Sequence, residues 1–64
     1  MKPTIELLGE LEYGPVIGER AVILQNGEPT HYTSEVAVVY KRTEQEIEFE
    51  TKNTIYRIIH EKKS

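Results

Sequence analysis

Apolar and acidic residues alternate one by one near the end of the chain. From Glu46 to Thr51 every second residue is Glu, and the intervening residues are Ile47, Phe49 and Thr51. A period of two sends one set of side chains to water and the other to a core, so this segment is predicted to be a half-buried strand. A polar break at residues 52–54 precedes a second strand, Ile55–Ile59, and so short a connection predicts antiparallel pairing.

Further strands are predicted upstream. Arg20–Gln25 is apolar on both faces, which favours a central strand covered twice. Asn26-Gly27 follows and favours a type I′ hairpin turn, because both residues of that turn need positive φ. The returning strand begins just after the turn, where Pro29 marks an irregular or edge position. Residues 30–34 are predicted to be a polar, hydroxyl-rich link, and residues 35–42 the next strand.

The N-terminal part of the chain admits two interpretations. Leucines alternate with glutamates within residues 4–13, which favours an extended segment, but the apolar spacing also permits a short capped helix. Gly9 fits poorly in the middle of either one. We favour the extended form because the rest of the chain is strand-like. Residues 14–18 are predicted to form a loop that places Val16 and Ile17 in the core.

These patterns predict a single all-β domain spanning residues 1–64. The expected architecture is a small SH3-like or meander β-barrel of four to five antiparallel strands, with a short N-terminal helix as the open alternative. The break at residues 52–54 resembles the single 3₁₀ turn before the last strand of an SH3-like barrel, which carries no function by itself. Residues 1–18 are the least determined part, and the charged tail, residues 61–64, is predicted to fray.

Length and composition add three expectations. A chain of 64 residues without cysteine has no disulfide or thiolate metal site to support a small core, so a homo-oligomer is expected. It contains no apolar run of membrane-spanning length and no signal-peptide pattern, which favours a cytoplasmic location without membrane partners. The net charge is −3 and all 11 acidic residues are Glu, which argues against binding to duplex nucleic acid.

The residues that most often carry catalysis are sparse. His31 and His60 lie on different segments without further ligands at metal-binding spacing, so no metal or other cofactor is expected. Ser34 and His31 are three residues apart, but the chain has no Asp and no nucleophile-elbow pattern. These observations predict a protein that is not an enzyme.

Two other sets of residues are candidates for binding. Glu44, Glu46, Glu48 and Glu50 form an acidic stripe, which we interpret as a solvated face rather than a docking surface for a basic partner.

The second set combines hydroxyl groups, aromatic rings and cations of the kind that bind a nucleotide, with rings stacking on a base and Arg binding a phosphate. The candidate ligand-binding residues are Arg20, Tyr32, Thr33, Ser34, Lys52, Asn53, Thr54, Tyr56 and Arg57. The alternative is structural: the hydroxyls cap turns, the tyrosines anchor the core with hydrated OH groups, and Arg57 extends along the surface.

Three segments of the chain, residues 15–21, 32–36 and 50–58, together carry a resemblance. Thr33-Ser34-Glu35-Val36, then an acidic strand, then Thr51-Lys52-Asn53 with Tyr56-Arg57, resembles a group of very small, mostly uncharacterised bacterial and phage proteins. Their pattern is Thr-Ser-x-Val followed by Thr-Lys/Arg-Asn/Ser-x-x-Tyr-Arg/Lys. The resemblance covers residues 15–59 and implies a compact β-barrel-like domain encoded on phages or mobile elements. It implies no chemistry.

The expected function is a non-enzymatic binding module. In the preferred version it is a phage or mobile-element accessory protein that sequesters a small nucleotide-type defence signal in an oligomer-interface pocket, in the host cytoplasm. The alternative is a protein–protein inhibitor or adaptor that binds a host protein through the acidic strand or a sheet edge. A further alternative is a structural phage or nucleoid-associated module.

Overall fold

The computed structural model describes residues 2–60, which form six β-strands in one sheet. The strands are β1 (Thr4–Leu8), β2 (Glu10–Leu11), β3 (Arg20–Gln25), β4 (Glu28–Arg42), β5 (Glu46–Thr51) and β6 (Ile55–Ile59). Residues 2–60 contain no helix, so the all-β prediction is confirmed and the N-terminal segment is extended. None of these residues belongs to a helix long and apolar enough to cross a membrane. The predicted fraying of residues 61–64 lies outside the described residues.

The strand order across the sheet is β1-β6-β5-β4-β3-β2. β1 runs parallel to β6, from Thr4 opposite Ile55 to Leu8 opposite Ile59, and the other neighbours are antiparallel. The prediction of four to five antiparallel strands was therefore wrong in number and in this one pairing. The parallel pairing joins the two ends of the chain, and local alternation carries no information about such a distant partner.

Gly9 joins the two outer strands of the sheet. β1 lies at one end of the strand order and β2 at the other, yet only Gly9 separates them in sequence. Its N–H donates to Ile59 O (2.9 Å), and a Cβ placed on it would come well within 3.0 Å of Leu24 O. The sheet thus curls until its two ends lie on one continuous segment, although no ladder joins β1 to β2 and the sheet is not closed.

β4 is the longest strand and changes partner along its length. Glu28–Glu35 pairs with β3 and Val36–Arg42 pairs with β5, with register shifts in both ladders. The predicted link at residues 30–34 was wrong, because pairing with β3 keeps this β-compatible run of Thr and Tyr extended. Fifteen residues of straight strand would span about 50 Å. The molecule is 35 Å long, so β4 must bend.

The turns are closed in two different ways. Asn26 and Gly27 have φ of 56° and 78°, which confirms the positive φ values predicted for the β3–β4 turn. Between β5 and β6 the expected 3₁₀ turn is not formed. Instead the N–H of Thr51 donates to Thr54 O at 2.8 Å.

The core is small and lies inside the curled sheet. It consists of Ala21, Ile23, Val36, Ile47, Phe49 and Ile58. Phe49 stacks on Tyr56, with ring centroids 5.3 Å apart. In β5 Ile47, Phe49 and Thr51 are buried, as predicted, whereas the glutamates that were expected to face water are half-buried. β3 is not covered twice, because only Ala21 and Ile23 are fully buried.

The loop before β3 differs from its prediction. Val16 and Ile17 are exposed, Ile17 by 65%, and Pro15 is buried instead. The reason is a backbone contact: Ile17 forms a bridge with Val36, and the N–H of Gly18 donates to Val36 O at 2.8 Å. This contact holds the Ile17 side chain at the surface.

Candidate functional site

An open groove of about 530 Å³ lies where β4 passes from β3 to β5. The loop before β3 contributes Ile17, and the first residue of β3 contributes Arg20. Ser34 and its neighbours in β4 form the floor, and Lys52 from the β5–β6 turn completes the wall. The groove is thus built from four parts of the fold: the loop before β3, the start of β3, the bend of β4 and the β5–β6 turn.

The ladders around β4 explain why these residues meet. Arg20 is opposite Glu35 in the β3–β4 ladder, and Val36, the next residue, is opposite Thr51 in the β4–β5 ladder. Lys52 follows Thr51 directly, so the change of partner in β4 brings Lys52 to the same place as Arg20. The site therefore depends on the bend in β4.

The groove carries a positive charge that residues 2–60 do not neutralise. Among residues 2–60 neither Arg20 nor Lys52 forms an ion pair, and Glu35 forms none either. Two cations and one carboxylate leave one net positive charge at the groove. The nearby Ser34 hydroxyl adds a neutral donor.

Three of the nine predicted ligand-binding residues therefore line one groove, namely Arg20, Ser34 and Lys52. Tyr32 lies two residues before Ser34 on β4 and is 69% exposed. Asn53 and Thr54 belong to the β5–β6 turn, where the Thr54 carbonyl accepts hydrogen bonds from Thr51.

The remaining three predicted residues are engaged within the fold. Thr33 is buried; its Oγ1 accepts from Ala21 N (3.0 Å) and donates to Ser34 O (2.7 Å). Tyr56 stacks on Phe49 against the core, which matches the alternative interpretation of the tyrosines as core anchors. Arg57 forms ion pairs with Glu6 and Glu46, outside the groove.

The acidic stripe is partly neutralised by the chain's own cations. Glu46 accepts from Lys41 (2.9 Å) and Arg57 (3.1 Å), and these hydrogen bonds lower the pKa of its carboxyl. Arg57 also lies 3.3 Å from Glu6, and its own pKa is raised, chiefly by the hydrogen bond to Glu46.

Glu50 is engaged in the same way at the other end of β5. Its carboxylate accepts hydrogen bonds from Lys2 and from the Tyr40 hydroxyl. Both bonds lower the pKa of Glu50, and the bond from Lys2 has the larger effect. The hydrogen bond between Tyr40 and Glu50 raises the pKa of Tyr40. Two of the four carboxylates of the stripe are therefore bound within the sheet rather than free for a basic partner.

The two histidines have local partners. His31 Nδ1 lies 3.0 Å from Thr30 Oγ1, and His60 Nδ1 lies 2.8 Å from Glu44 O. Within residues 2–60 no three His, Asp or Glu side chains are grouped as a metal site would require. In each histidine, Nδ1 is therefore engaged by a neighbouring oxygen atom of the fold.

Sequence reasoning missed the apolar side of the groove. Ile17 was expected in the core, and Val36 and Ala37 were placed only within the strand predicted over residues 35–42. Val36 is buried, so it contributes to the core and to the groove wall together. No local signal indicated this, because the exposure of Ile17 depends on its backbone bridge to Val36.

Comparison of the chain with protein-family models, with curated proteins and with solved structures gives no match.

Proposed function

We propose that this protein is a non-enzymatic binding module that holds a small phosphorylated, nucleotide-type ligand in the groove beside β4. One observation supports this most directly: Arg20 and Lys52 face the same groove and neither forms an ion pair within residues 2–60. Two such cations beside the Ser34 hydroxyl have the chemistry of a phosphate site. Arg binds phosphate oxygens in a bidentate manner, and Lys acts as a compact charge.

The apolar part of the groove suits the rest of such a ligand. Its volume of about 530 Å³ is in the usual range for small-molecule sites. Ile17 and Ala37 offer apolar surface to a base or sugar. Tyr32 is exposed on the same strand as Ser34 and provides an aromatic ring on which a base can stack.

The biological role follows from the kind of site. The groove offers charge and shape, and within residues 2–60 the Ser34 hydroxyl is hydrogen-bonded to no base, so the proposed role is to sequester a ligand rather than to convert it. The resemblance of residues 15–59 to small phage and bacterial proteins supports a role as a phage or mobile-element accessory protein. In that setting the ligand is a nucleotide-type signal of host defence, captured in the host cytoplasm.

The adaptor alternative is less well supported in its acidic-strand form. Glu46 and Glu50 are bound to Lys41, Arg57 and Lys2, so a basic partner would have to displace these contacts.

Calorimetric titration tests the proposal. The probes are nucleoside monophosphates, cyclic mono- and dinucleotides, inorganic phosphate and an uncharged nucleoside. We expect binding of a phosphorylated probe to the wild-type chain, little binding of the nucleoside, and at least a tenfold loss of affinity in Arg20→Gln and Lys52→Gln.

The matched control is Arg57→Gln, which removes one positive charge at a residue that pairs with Glu46 and Glu6. It should keep the affinity for the probe. Failure of every phosphorylated probe to bind, or equal losses in all three variants, would refute the groove as the site.

A further inference from the structure

The second half of β4 has one edge without a partner. On its β3 side the bend is sealed at Val36, which accepts from Gly18 N (2.8 Å) and donates to Glu19 O (2.9 Å). Beyond Val36, residues 37–42 pair with β5 on one side, and no other described strand or loop pairs with their opposite edge. Unpaired backbone groups along such an edge can accept a further strand.

The side chains along this edge favour pairing. Residues 37–40 are Ala, Val, Val and Tyr, an uncharged run without Pro; Val38 is 39% exposed and Tyr40 is 55% exposed. Branched and aromatic residues of this kind suit a paired strand.

The outer edge of the sheet at β1 is better protected. The Gln25 side chain donates to Leu8 O at 2.9 Å, and Glu6 and Glu10 place charges along the same segment. Charged residues and side-chain caps of this kind discourage edge pairing. Of these two edges, the one along residues 37–42 of β4 is therefore better suited to a new strand.

We propose that a second copy of this chain pairs with the free edge of β4 in antiparallel orientation. The charges at the two ends of the edge support a second copy as the partner. Glu35 lies at one end and forms no ion pair within residues 2–60, whereas Lys41 and Arg42 lie at the other. Antiparallel pairing of two copies brings opposite charges together, whereas parallel pairing brings like charges together.

The register follows from symmetry and from the length of the free edge. In a two-fold antiparallel pair one residue must face its own copy, because side chains alternate between the two faces. The edge is free only beyond Val36, and within residues 37–42 a symmetric pairing of residues 37–41 is centred on Val39. Val38 then faces the second copy's Tyr40, an aromatic and β-branched pair of the kind that stabilises sheets.

This arrangement also reaches the groove. With the pairing centred on Val39, the second copy's Arg42 lies just beyond the paired residues 37–41, at the end of the edge that leads to Glu35 and Val36 of the groove. Dimerisation would then add a cation to the groove wall. That consequence rests on the proposed function, whereas the dimer itself does not.

Sedimentation velocity over a range of protein concentrations, without ligand, tests the interface. We expect the mass to rise with concentration from the 7.4 kDa of one chain to twice that value. Val38→Lys should raise the dimer dissociation constant at least tenfold, because it places a charge in the centre of the edge near the second copy's cations. Leu8→Lys is the control, since Leu8 is 56% exposed on β1, away from this edge, and should dimerise as the wild type does.

A charge exchange provides the second test, and circular dichroism checks that each variant is folded. Glu35→Lys and Arg42→Glu should each weaken the dimer, and the double variant should restore it. A mass of one chain at every concentration would overturn the proposal. So would a dimer that neither Val38→Lys nor the single charge changes weaken. Neither result depends on ligand binding, so the groove proposal would stand or fall separately.

Discussion

At the scale of single residues, Gly9 has the least room for a side chain among the four glycines. It is buried at the point where the first segment turns from β6 towards β3, and its N–H is bonded to Ile59 O. A side chain at this position would meet the carbonyl oxygen of Leu24, which belongs to a paired strand and cannot rotate away. The two ends of the sheet can share one segment only because this residue has no Cβ.

Gly9→Ala is therefore expected to lower the free energy of unfolding by about 3 kcal/mol, the upper part of the range for overpacked sites. That is a large share of the stability of a domain of this size. Urea unfolding followed by circular dichroism measures it. Gly18→Ala is the control: it adds the same methyl group into open space but at a φ of +91°, so we expect a cost of about 1 kcal/mol from the backbone alone. Equal losses in the two variants would contradict the steric explanation.

At the scale of strands, the β3–β4 ladder contains a register shift at which a side chain accepts a backbone hydrogen bond. The register shifts between Arg20 and Val22, and Ala21 lies within the shift. Its N–H donates to Thr33 Oγ1 at 3.0 Å, inside the core. Thr33 was predicted to bind ligand, but its hydroxyl is already engaged in holding two strands together.

Thr33→Val tests this role with almost no change of shape. The substitution leaves the buried N–H of Ala21 without an acceptor, which we expect to cost about 1–3 kcal/mol of unfolding free energy. Thr33→Ser keeps the hydroxyl and should retain most of the stability. Thermal and urea unfolding of the three proteins give the comparison. Equal free energies of unfolding for Thr33→Val and Thr33→Ser would show that this hydrogen bond does not stabilise the fold.

The strands and turns that could be predicted are those that depend on sequence signals within a few residues. The alternation in β5 and the Asn26-Gly27 turn are local signals, and both were interpreted correctly. β4 was divided too early, because Pro29 and a hydroxyl-rich run look like a loop until β3 pairs with them. The exposure of Ile17 depends on a backbone bridge to Val36, nineteen positions away, which no local pattern indicates.

The candidate site was predictable in its chemistry more than in its geometry. The residue types named in advance include the two groove cations, because cations near hydroxyls are a recognisable combination. Which of the candidate residues lie together depends on the strand face on which each of them is placed. Arg57 lies in β6 beside Glu48 of β5 and Glu6 of β1, so the parallel pairing with β1 assigns it to an ion-pair network rather than to the groove.

At the scale of the whole molecule, ion pairs tie the N-terminal segment to the middle of the sheet. Arg57 of β6 contacts Glu6 of β1 and Glu46 of β5, and Lys41 of β4 contacts the same Glu46. At the other end of β5, Glu50 contacts Lys2. Glu6, Lys41, Glu46 and Arg57 therefore form one network across four strands, and the Lys2–Glu50 pair is separate from it. Such networks hold better than isolated surface pairs, but salt screens them.

The network around Glu46 and the separate contacts of Glu50 make stability depend on pH in a defined direction. The hydrogen bonds from Lys41 and Arg57 lower the pKa of Glu46, and those from Lys2 and Tyr40 lower the pKa of Glu50, both from the ordinary value of 4.5. A carboxyl whose pKa is lower in the folded state stabilises the fold above its unfolded pKa. That stabilisation is lost as the pH falls through the folded pKa.

We therefore expect the Tm to be nearly constant from neutral pH to just above pH 5 and to fall progressively below about pH 4.5, where these carboxyls begin to protonate. In the double variant Glu46→Gln/Glu50→Gln the Tm should be lower at pH 7 and should approach the wild-type Tm in acid, because the wild type has then lost the same contacts. Glu12→Gln/Glu28→Gln is the control, since neither residue forms an ion pair within residues 2–60, and its difference from wild type should change little with pH. Differential scanning calorimetry between pH 2.5 and 8, at low and high salt, gives all three curves. A constant gap between the wild type and Glu46→Gln/Glu50→Gln across that range would show that the network does not stabilise the fold through its charges.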